Sequence, residues 1–174
     1  MIRTPVAPVL VTGATGRVGR VVIDLLIDAG VPVRALTHRS EAAETLRANV
    51  EVVTGDLTVP ESLDAGLRGV GAVFLVWTAP PTTAPAVVGR LATYARRVVF
   101  LSAPHRTPHP FFQQPNPVAE LYADIEQLIA ATGLESTILR PGMFASNALS
   151  WGRRRSAPTV SSGGRAARPN GARR

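Results

Sequence analysis

Two residue types with distinctive chemistry are missing from this chain of 174 residues: lysine and cysteine. All 19 basic residues are arginine, which excludes a P-loop lysine, a Schiff-base lysine and a lysine that lowers the pKa of a catalytic tyrosine. The absence of cysteine excludes disulfides, thiolate nucleophiles and cysteine-ligated zinc. Arginine, histidine, carboxylates and hydroxyls remain as the groups that can carry chemistry.

The chain also lacks negative charge near its end. Residues 1–152 contain 12 arginines and 12 acidic residues, whereas residues 153–174 contain 7 arginines and no acid. This last segment is rich in Arg, Gly, Ser and Ala without hydrophobic periodicity, so we predict a disordered tail over residues 152–174. An arginine-rich arm for nucleic acid is the alternative interpretation, but the segment has no aromatic or helical patterning to favour it.

Long hydrophobic runs are missing as well. The runs Val6–Val11 and Val70–Trp77 are far shorter than the roughly 20 residues of a membrane-spanning helix, and no signal-peptide pattern is present. Hydrophobic residues nevertheless make up 45% of the chain, which is enough for a folded core. We therefore expect a soluble, cytoplasmic protein that does not associate with a membrane.

Short apolar runs alternate with segments of helical periodicity along residues 1–151. The predicted strands are Pro8–Thr12, Pro32–Thr37, Val50–Thr54, Gly71–Val76, Arg97–Ser102 and Glu135–Leu139. The predicted helices are Arg17–Ala29, Glu41–Arg47, Pro60–Leu67, Thr83–Ala95 and Pro117–Ala131. This alternation predicts an α/β fold, a doubly wound parallel sheet of Rossmann type with strand order 3-2-1-4-5-6 and residues 1–151 as one domain.

A glycine motif lies between the first predicted strand and the first predicted helix. Gly13, Gly16 and Gly19 form a G-x-x-G-x-x-G pattern. The first glycine permits a tight turn, the second lets the backbone approach a pyrophosphate, and the third allows close packing of helix on strand. Because a helix N-terminus offers unpaired N–H groups and partial positive charge, the motif predicts a dinucleotide site.

The end of the second predicted strand indicates which dinucleotide is bound. Sites that bind NAD usually have an acidic residue here for the ribose 2′-hydroxyl, but this chain has Thr37-His38-Arg39-Ser40. Arg39, together with Arg17, can form a charge-assisted pair with a 2′-phosphate, which favours NADP(H) over NAD(H). The alternative is that Arg39 is a solvated cation of the loop. Asp56, after the third strand, is a candidate for the adenine amino group, with turn capping as the alternative.

Four segments together resemble the NmrA-like group of atypical short-chain dehydrogenases/reductases, over about residues 7–151. They are Thr12–Gly19, Val33–Arg39, Gly55–Leu57 and Thr137–Phe144. The resemblance implies a Rossmann domain that binds NAD(P)(H). Some members of this group reduce quinones or azo dyes with NAD(P)H, and others are redox-sensing regulators.

The resemblance also implies cofactor-binding roles, position by position. Gly19 is the glycine that allows the helix to pack closely on the strand. The other positions are Gly13, Thr15, Gly16, Arg17 and Val18 for the pyrophosphate, Arg39 for the 2′-phosphate, Asp56 and Leu57 for the adenine, and Trp77 and Thr78 for the ribose and nicotinamide side.

Two departures from the wider family concern catalysis. Mainstream short-chain dehydrogenases use Tyr-x-x-x-Lys, whereas this chain has Tyr122 followed by Glu126 at the lysine position. A carboxylate there raises the pKa of a tyrosine, so Tyr122 is a weak catalytic candidate and the catalytic residues stay unassigned. Relatives also continue into a small C-terminal substrate lobe, which we expect to be missing here because the composition changes after Trp151.

Histidine and serine add little to this interpretation. The spacing of His38, His105 and His109 does not predict a metal site. Ser102 follows the fifth predicted strand, near where such enzymes keep a catalytic Ser or Thr, but no Ser-Tyr-Lys set can be assembled without lysine.

Two functional hypotheses follow. The first is an NAD(P)(H)-binding oxidoreductase that transfers hydride from NADPH to a quinone-like small-molecule acceptor by positioning alone, with water protonating the product. The second is a non-catalytic redox sensor that binds NADP(H) and acts through a protein partner.

Overall fold

The computed structural model describes residues 6–38, 46–104, 117–142 and 144. The strands in this part of the chain are β1 (Val9–Val11), β2 (Val33–Thr37), β3 (Glu51–Thr54), β4 (Ala72–Val76), β5 (Arg97–Leu101) and β6 (Glu135–Leu139). The α-helices are α1 (Arg17–Asp28), α2 (Asp64–Leu67), α3 (Ala84–Tyr94) and α4 (Pro117–Ala131). Two 3-10 turns, Pro60–Leu63 and Pro81–Thr83, lead into α2 and α3.

All six strands pair in parallel in the order β3-β2-β1-β4-β5-β6. The predicted fold class and strand order are therefore confirmed. Within the sheet, β2 and β3 lie on one side of β1, and β4, β5 and β6 lie on its other side. The strand order therefore changes direction between β1 and β4. Ligands of doubly wound sheets bind at this switch point, beyond the carboxyl ends of the strands.

The sheet is buried on both faces because successive side chains of a strand point to opposite sides. Leu10 packs in a core cluster with residues of α3 and α4, including Val87 and Ile125. Its neighbour Val11 packs in a second cluster with Ile23 of α1. Burial on both faces explains why the central strands read as continuous apolar runs.

The predicted and observed elements differ at several boundaries. The segment predicted as one helix over Pro60–Leu67 is a 3-10 turn followed by the four-residue α2, since a prolyl start and a short span favour the tighter turn. The predicted helix Thr83–Ala95 corresponds to α3, with its first turn in 3-10 form.

Some predictions concern other parts of the chain. Most of the predicted helix Glu41–Arg47 and the whole of the predicted tail lie outside the described residues. Among the residues that are described, no helix is long and apolar enough to cross a membrane.

Candidate cofactor site

The turn between β1 and α1 requires glycine at its first position. Gly13 has a φ of +58°, in the left-handed region that disfavours other residues, and a Cβ there would lie 3.0 Å from the Cβ of Val76. The N–H of Gly16 donates to the carbonyl of Gly13 at 2.9 Å and closes the turn. The turn thus lies flat against the end of β4.

Gly19, in the first turn of α1, brings the helix against this turn. A Cβ at Gly19 would lie 2.3 Å from the carbonyl oxygen of Gly13 and 2.9 Å from the Cα of Ala14. No side chain can occupy that space without displacing the backbone. The predicted packing role of the third glycine therefore has a direct steric basis.

The first turn of α1 carries no carboxylate of its own. Gly16 is the N-cap and supplies no capping side chain, and the first turn contains no acidic residue. The N–H groups of a first helical turn have no partners within the helix, and together they carry partial positive charge. Arg20 Nε donates to the carbonyl of Thr15 at 2.9 Å and holds the turn beside the helix.

Thr12, the last residue before the turn, joins the ends of β1 and β4. Its Oγ1 accepts a hydrogen bond from the N–H of Val76 at 2.7 Å and donates to the carbonyl of Val76 at 2.9 Å. The Thr12 hydroxyl thereby takes the place of a backbone hydrogen-bond partner at the point where β1 and β4 separate. This separation opens a space between the two strands.

A cavity of about 400 Å³ opens at this edge of the sheet. It is formed by the glycine turn, the ends of β2 and β4, and the loop after β3. Its lining residues are Thr12, Gly13, Ala14, Thr15, Gly16, Leu36, Thr37, His38, Gly55, Asp56, Leu57, Thr58, Val76 and Thr78.

The loop after β3 is ordered by its own side chains. The N–H of Thr58 donates to Asp56 Oδ1 at 2.8 Å, and the N–H of Asp56 donates to Ser62 Oγ at 2.9 Å. The hydrogen bond from the Thr58 backbone lowers the pKa of Asp56, and the charge of nearby His38 acts in the same direction. Asp56 therefore presents an ionised carboxylate at the wall of the cavity.

The cavity brings together six of the cofactor-binding residues predicted from the sequence. These are Gly13, Thr15, Gly16, Asp56, Leu57 and Thr78. The glycine turn and the loop after β3 are far apart in sequence, and the pairing of β1 with β2 and of β2 with β3 brings them to one opening.

The other predicted residues lie elsewhere. Arg17 and Val18 are in the first turn of α1, where Arg17 is exposed and Val18 packs against the core. Trp77 is 5% exposed and packs in the core cluster with Leu57 and Ala84, behind the cavity wall. Arg39, the predicted partner of a 2′-phosphate, lies outside the described residues, as do His105 and His109.

Tyr122 is half-buried on α4. Its ring stacks on that of Phe100 with centroids 5.6 Å apart and an interplanar angle of 13°. Burial raises the pKa of Tyr122, so its hydroxyl stays protonated and is a poor proton donor at neutral pH.

Eight lining residues were not among the sequence candidates, namely Thr12, Ala14, Leu36, Thr37, His38, Gly55, Thr58 and Val76. Gly55 could have been identified from the sequence, because it directly precedes the candidate Asp56. A Cβ at Gly55 would lie 2.9 Å from Leu36 Cδ1 and 3.0 Å from the carbonyl oxygen of Ser62, so a side chain at this wall would require both neighbours to shift.

This arrangement defines a class of protein. A parallel sheet of this order, with a glycine turn and an uncapped helix start at its switch point, is a dinucleotide-binding Rossmann domain. A family model described as NAD(P)H-binding matches residues 13–170. The chain therefore belongs to this NAD(P)H-binding family, and the predicted resemblance to the NmrA-like group of atypical short-chain dehydrogenases/reductases is confirmed.

Individual relatives agree with this assignment. The (4-alkanoyl-5-oxo-2,5-dihydrofuran-3-yl)methyl phosphate reductase of Streptomyces griseus is 39% identical over 163 residues, covering 90% of this chain and 53% of that protein. The NAD(P)H azoreductase of Xenophilus azovorans is 29% identical over 146 residues, covering 81% of this chain and 50% of that protein.

A solved structure matches in the same way. Triphenylmethane reductase of Citrobacter sp., complexed with NADP(H), superposes with a TM-score of 0.70 at 25% identity, covering 86% of this chain and 54% of that one. The present chain spans about half the length of each of these three proteins.

Proposed function

We propose that this chain binds NADP(H) in the cavity at the β1–β4 switch point and transfers hydride from NADPH to a quinone-like acceptor. The observation that carries the proposal is the cavity itself, which is bounded by a glycine turn where a Cβ at Gly13 would lie 3.0 Å from Val76 and a Cβ at Gly19 would lie 2.3 Å from the Gly13 carbonyl oxygen. The family identity supports a reduced nicotinamide dinucleotide as the ligand.

The residues of the cavity fit each part of such a ligand. The backbone at Gly13 and Gly16, with the uncapped start of α1, suits the pyrophosphate. The loop of Asp56 and Leu57 suits the adenine, because a carboxylate and backbone groups can accept from its amino group. Thr78, exposed after β4, is on the side of the nicotinamide ribose in this orientation.

The chemistry we propose needs no acid from the protein. Bound NADPH supplies a hydride, the acceptor gains its two electrons, and a proton from water completes the reduced product. The protein excludes water from one face of the site and orients the two reactants. Tyr122, with its raised pKa, and Glu126, at the lysine position, do not form a proton relay.

The acceptor class is drawn from the chemistry of the relatives. One relative reduces azo compounds and another reduces triphenylmethane dyes, according to their names. Both substrate classes are conjugated electrophiles that accept a hydride, and quinones share that property. A conjugated acceptor can lie against the nicotinamide without a dedicated side-chain acid.

The choice of NADPH over NADH rests on Arg39 in the sequence. Replacing Arg39 by alanine is expected to weaken NADPH binding by about 10-fold to 100-fold, because a charged hydrogen bond is lost, and to leave NADH affinity nearly unchanged. Equal losses for both cofactors would show that Arg39 does not contact the phosphate.

The second candidate function is a redox sensor that binds NADP(H) and a protein partner without turnover. The replacement of Tyr-x-x-x-Lys by Tyr122 and Glu126 favours it, because the usual proton relay of the wider family is absent. Such a protein would distinguish NADPH from NADP⁺ in its affinity and would not oxidise NADPH.

Two measurements separate these functions. Calorimetric titration with NADPH, NADH and NADP⁺ tests the site, and the loss of NADPH absorbance with a series of quinones tests turnover. Binding with oxidation supports the reductase, binding without oxidation supports the sensor, and failure to bind any of the three overturns both.

A further inference from the structure

A group of three polar side chains lies at the carboxyl edge of the sheet, outside the lining of the cavity. Ser102 follows β5, Glu126 is on α4 and Arg140 follows β6. Ser102 Oγ donates to Glu126 Oε1 at 2.5 Å. Arg140 Nε donates to the same oxygen at 3.0 Å, and Arg140 Nη2 donates to Glu126 Oε2. We call these residues the Ser102–Glu126–Arg140 group.

The serine and the glutamate of this group are shielded, whereas the side chain of Arg140 is 49% exposed. Ser102 is 5% exposed, and the side chain of Glu126 is 11% exposed. The N–H of Ser102 donates to the carbonyl of Leu139 at 2.8 Å, so β5 and β6 stay paired up to the serine. Two parallel N–H bonds from a guanidinium fix the orientation of the carboxylate.

This geometry sets the direction of the serine hydrogen bond. The guanidinium fork of Arg140 is complementary to an ionised carboxylate, which accepts hydrogen bonds and has no proton to donate. The single O–H of Ser102 is therefore directed to Glu126. Only the lone pairs of Ser102 Oγ remain for a bound molecule, so the serine can accept but cannot donate.

Ser102 lies on the side of the sheet where the nicotinamide end of the proposed dinucleotide is expected. β4 and β5 are paired with Val76 beside Leu101, so Ser102 is one strand beyond the part of the cavity wall formed by Val76 and Thr78. The adenine end of the site is on the opposite side, at the loop after β3. The nicotinamide end of a bound dinucleotide thus extends towards β4 and β5.

We infer that Glu126 and Arg140 are positioning residues that hold Ser102 Oγ as a hydrogen-bond acceptor for the carboxamide N–H of the nicotinamide. This inference rests on the proposed function and deepens it. Glu126, which takes the position of a relay lysine, fixes the polarity of a hydroxyl and does not move a proton.

A pair of ligands that differ by one donor tests this inference. In the 3-acetylpyridine analogue of NADP⁺, a methyl group replaces the amide NH₂ and the carbonyl is kept. We expect the wild-type protein to bind NADP⁺ about five- to tenfold more tightly than the analogue, because the analogue cannot form this one neutral hydrogen bond. Calorimetric titration measures both affinities.

Two variants and one control complete the experiment. Ser102→Ala removes the acceptor, and Glu126→Ala removes the carboxylate that receives the serine O–H, so that the hydroxyl can donate as well as accept. Both are expected to reduce the preference for NADP⁺ to less than about twofold. Glu135→Gln breaks a similar arginine ion pair at the amino ends of the same two strands and is expected to keep the full preference.

The outcomes are distinct. If both variants retain the wild-type preference, or lose affinity for both ligands equally, the group has a structural role and the inference is wrong. If one variant does not fold, the other still decides the question. If the wild-type protein binds neither ligand, the proposed function fails, and the inference fails with it. If the wild-type protein binds NADP⁺ and the variants keep its preference over the analogue, the inference is overturned and the proposed function is not.

Discussion

The two edges of the sheet use polar residues in different ways. At the amino edge, ion pairs join neighbouring strands: Arg34 Nε lies 2.9 Å from Glu51 Oε1 between β2 and β3, and Arg97 pairs with Glu135 between β5 and β6. Each of these residues is opposite its partner in the register of the parallel strands. At the carboxyl edge, a glycine turn and an uncapped helix start face a cavity.

This difference separates stability from binding. Arg34 and Arg97 at the amino edge are matched by carboxylates within the protein, so these two charges offer little to a ligand. At the carboxyl edge the N-terminus of α1 has no carboxylate in its first turn, and glycines keep the approach to it open. A ligand with negative charge can supply the missing partner.

The largest effect is expected from placing an anion at the carboxyl edge. Gly16→Asp should reduce NADPH affinity by about 100-fold or more, because a carboxylate would occupy the place of the pyrophosphate. Gly16 is exposed, so the thermal midpoint should change little. Gly89→Asp adds the same side chain on α3, where nothing lies within 4 Å of the new Cβ, and should leave affinity unchanged. Equal affinity of Gly16→Asp and wild type would refute the assigned site.

A steric change at the same edge should affect folding. Gly19→Ala would place a Cβ 2.3 Å from the Gly13 carbonyl oxygen, and we expect a loss of about 3 kcal/mol in the free energy of unfolding. Gly89→Ala, in an open position of α3, should instead stabilise the protein by about 1 kcal/mol, as alanine is the better helix former. Urea denaturation of the two variants measures both; a stable Gly19→Ala variant would show that the helix can shift away from the turn.

The amino edge allows a comparison of a shielded and an exposed arginine. The side chain of Arg34 is 14% exposed, and its Nη1 donates to the carbonyls of Gly66 at 2.7 Å and Arg68 at 2.8 Å. Lysine cannot reproduce this geometry, so Arg34→Lys should cost about 1–3 kcal/mol of unfolding free energy. Arg97→Lys, at a solvated pair, should have no measurable effect. Similar denaturation midpoints for the two variants would contradict this distinction.

The smallest effect concerns the pH dependence of the loop after β3. The pKa of Asp56 is lower in the folded protein than in the unfolded chain, chiefly because of the Thr58 N–H. The ionised carboxylate therefore stabilises the fold above the unfolded pKa of about 3.9, and this contribution is lost as the pH falls through the folded pKa. Asp56→Asn should be less stable than wild type by under about 1 kcal/mol at neutral pH. Denaturation at several pH values should show the difference disappear in acid, and a constant difference would exclude the ionisation as its cause.

Much of the fold could be predicted from local patterns. The bounds of α4 and β6 agree with the prediction, and the other strands differ by one residue at one or both ends. These patterns are local, because each involves residues only a few positions apart. They are the helical spacing of apolar residues, the runs of β-branched residues, and Gly or Pro at the ends of elements. The 3-10 starts of α2 and α3 were missed, because the choice between two turn types depends on small local differences.

The candidate site was predictable in part for the same reason. The glycine turn is a local feature whose steric requirements appear directly in the spacing of Gly13, Gly16 and Gly19. Val76 and Leu36, by contrast, reach the cavity from β4 and β2, the two strands that pair with β1. Their roles depend on strand register, which a single strand does not encode.

The sequence by itself determined the alternation of strands and helices, the dinucleotide turn and the absence of a lysine relay, because each depends on residue type and short-range spacing. The tertiary structure decided which distant residues meet: the loop of Asp56 with the glycine turn, and Glu126 with Ser102 and Arg140. In the sequence, Glu126 is simply a carboxylate where a lysine is expected. Its hydrogen-bond partners are known only when β5, α4 and β6 are packed, because these contacts join residues that the chain itself keeps apart.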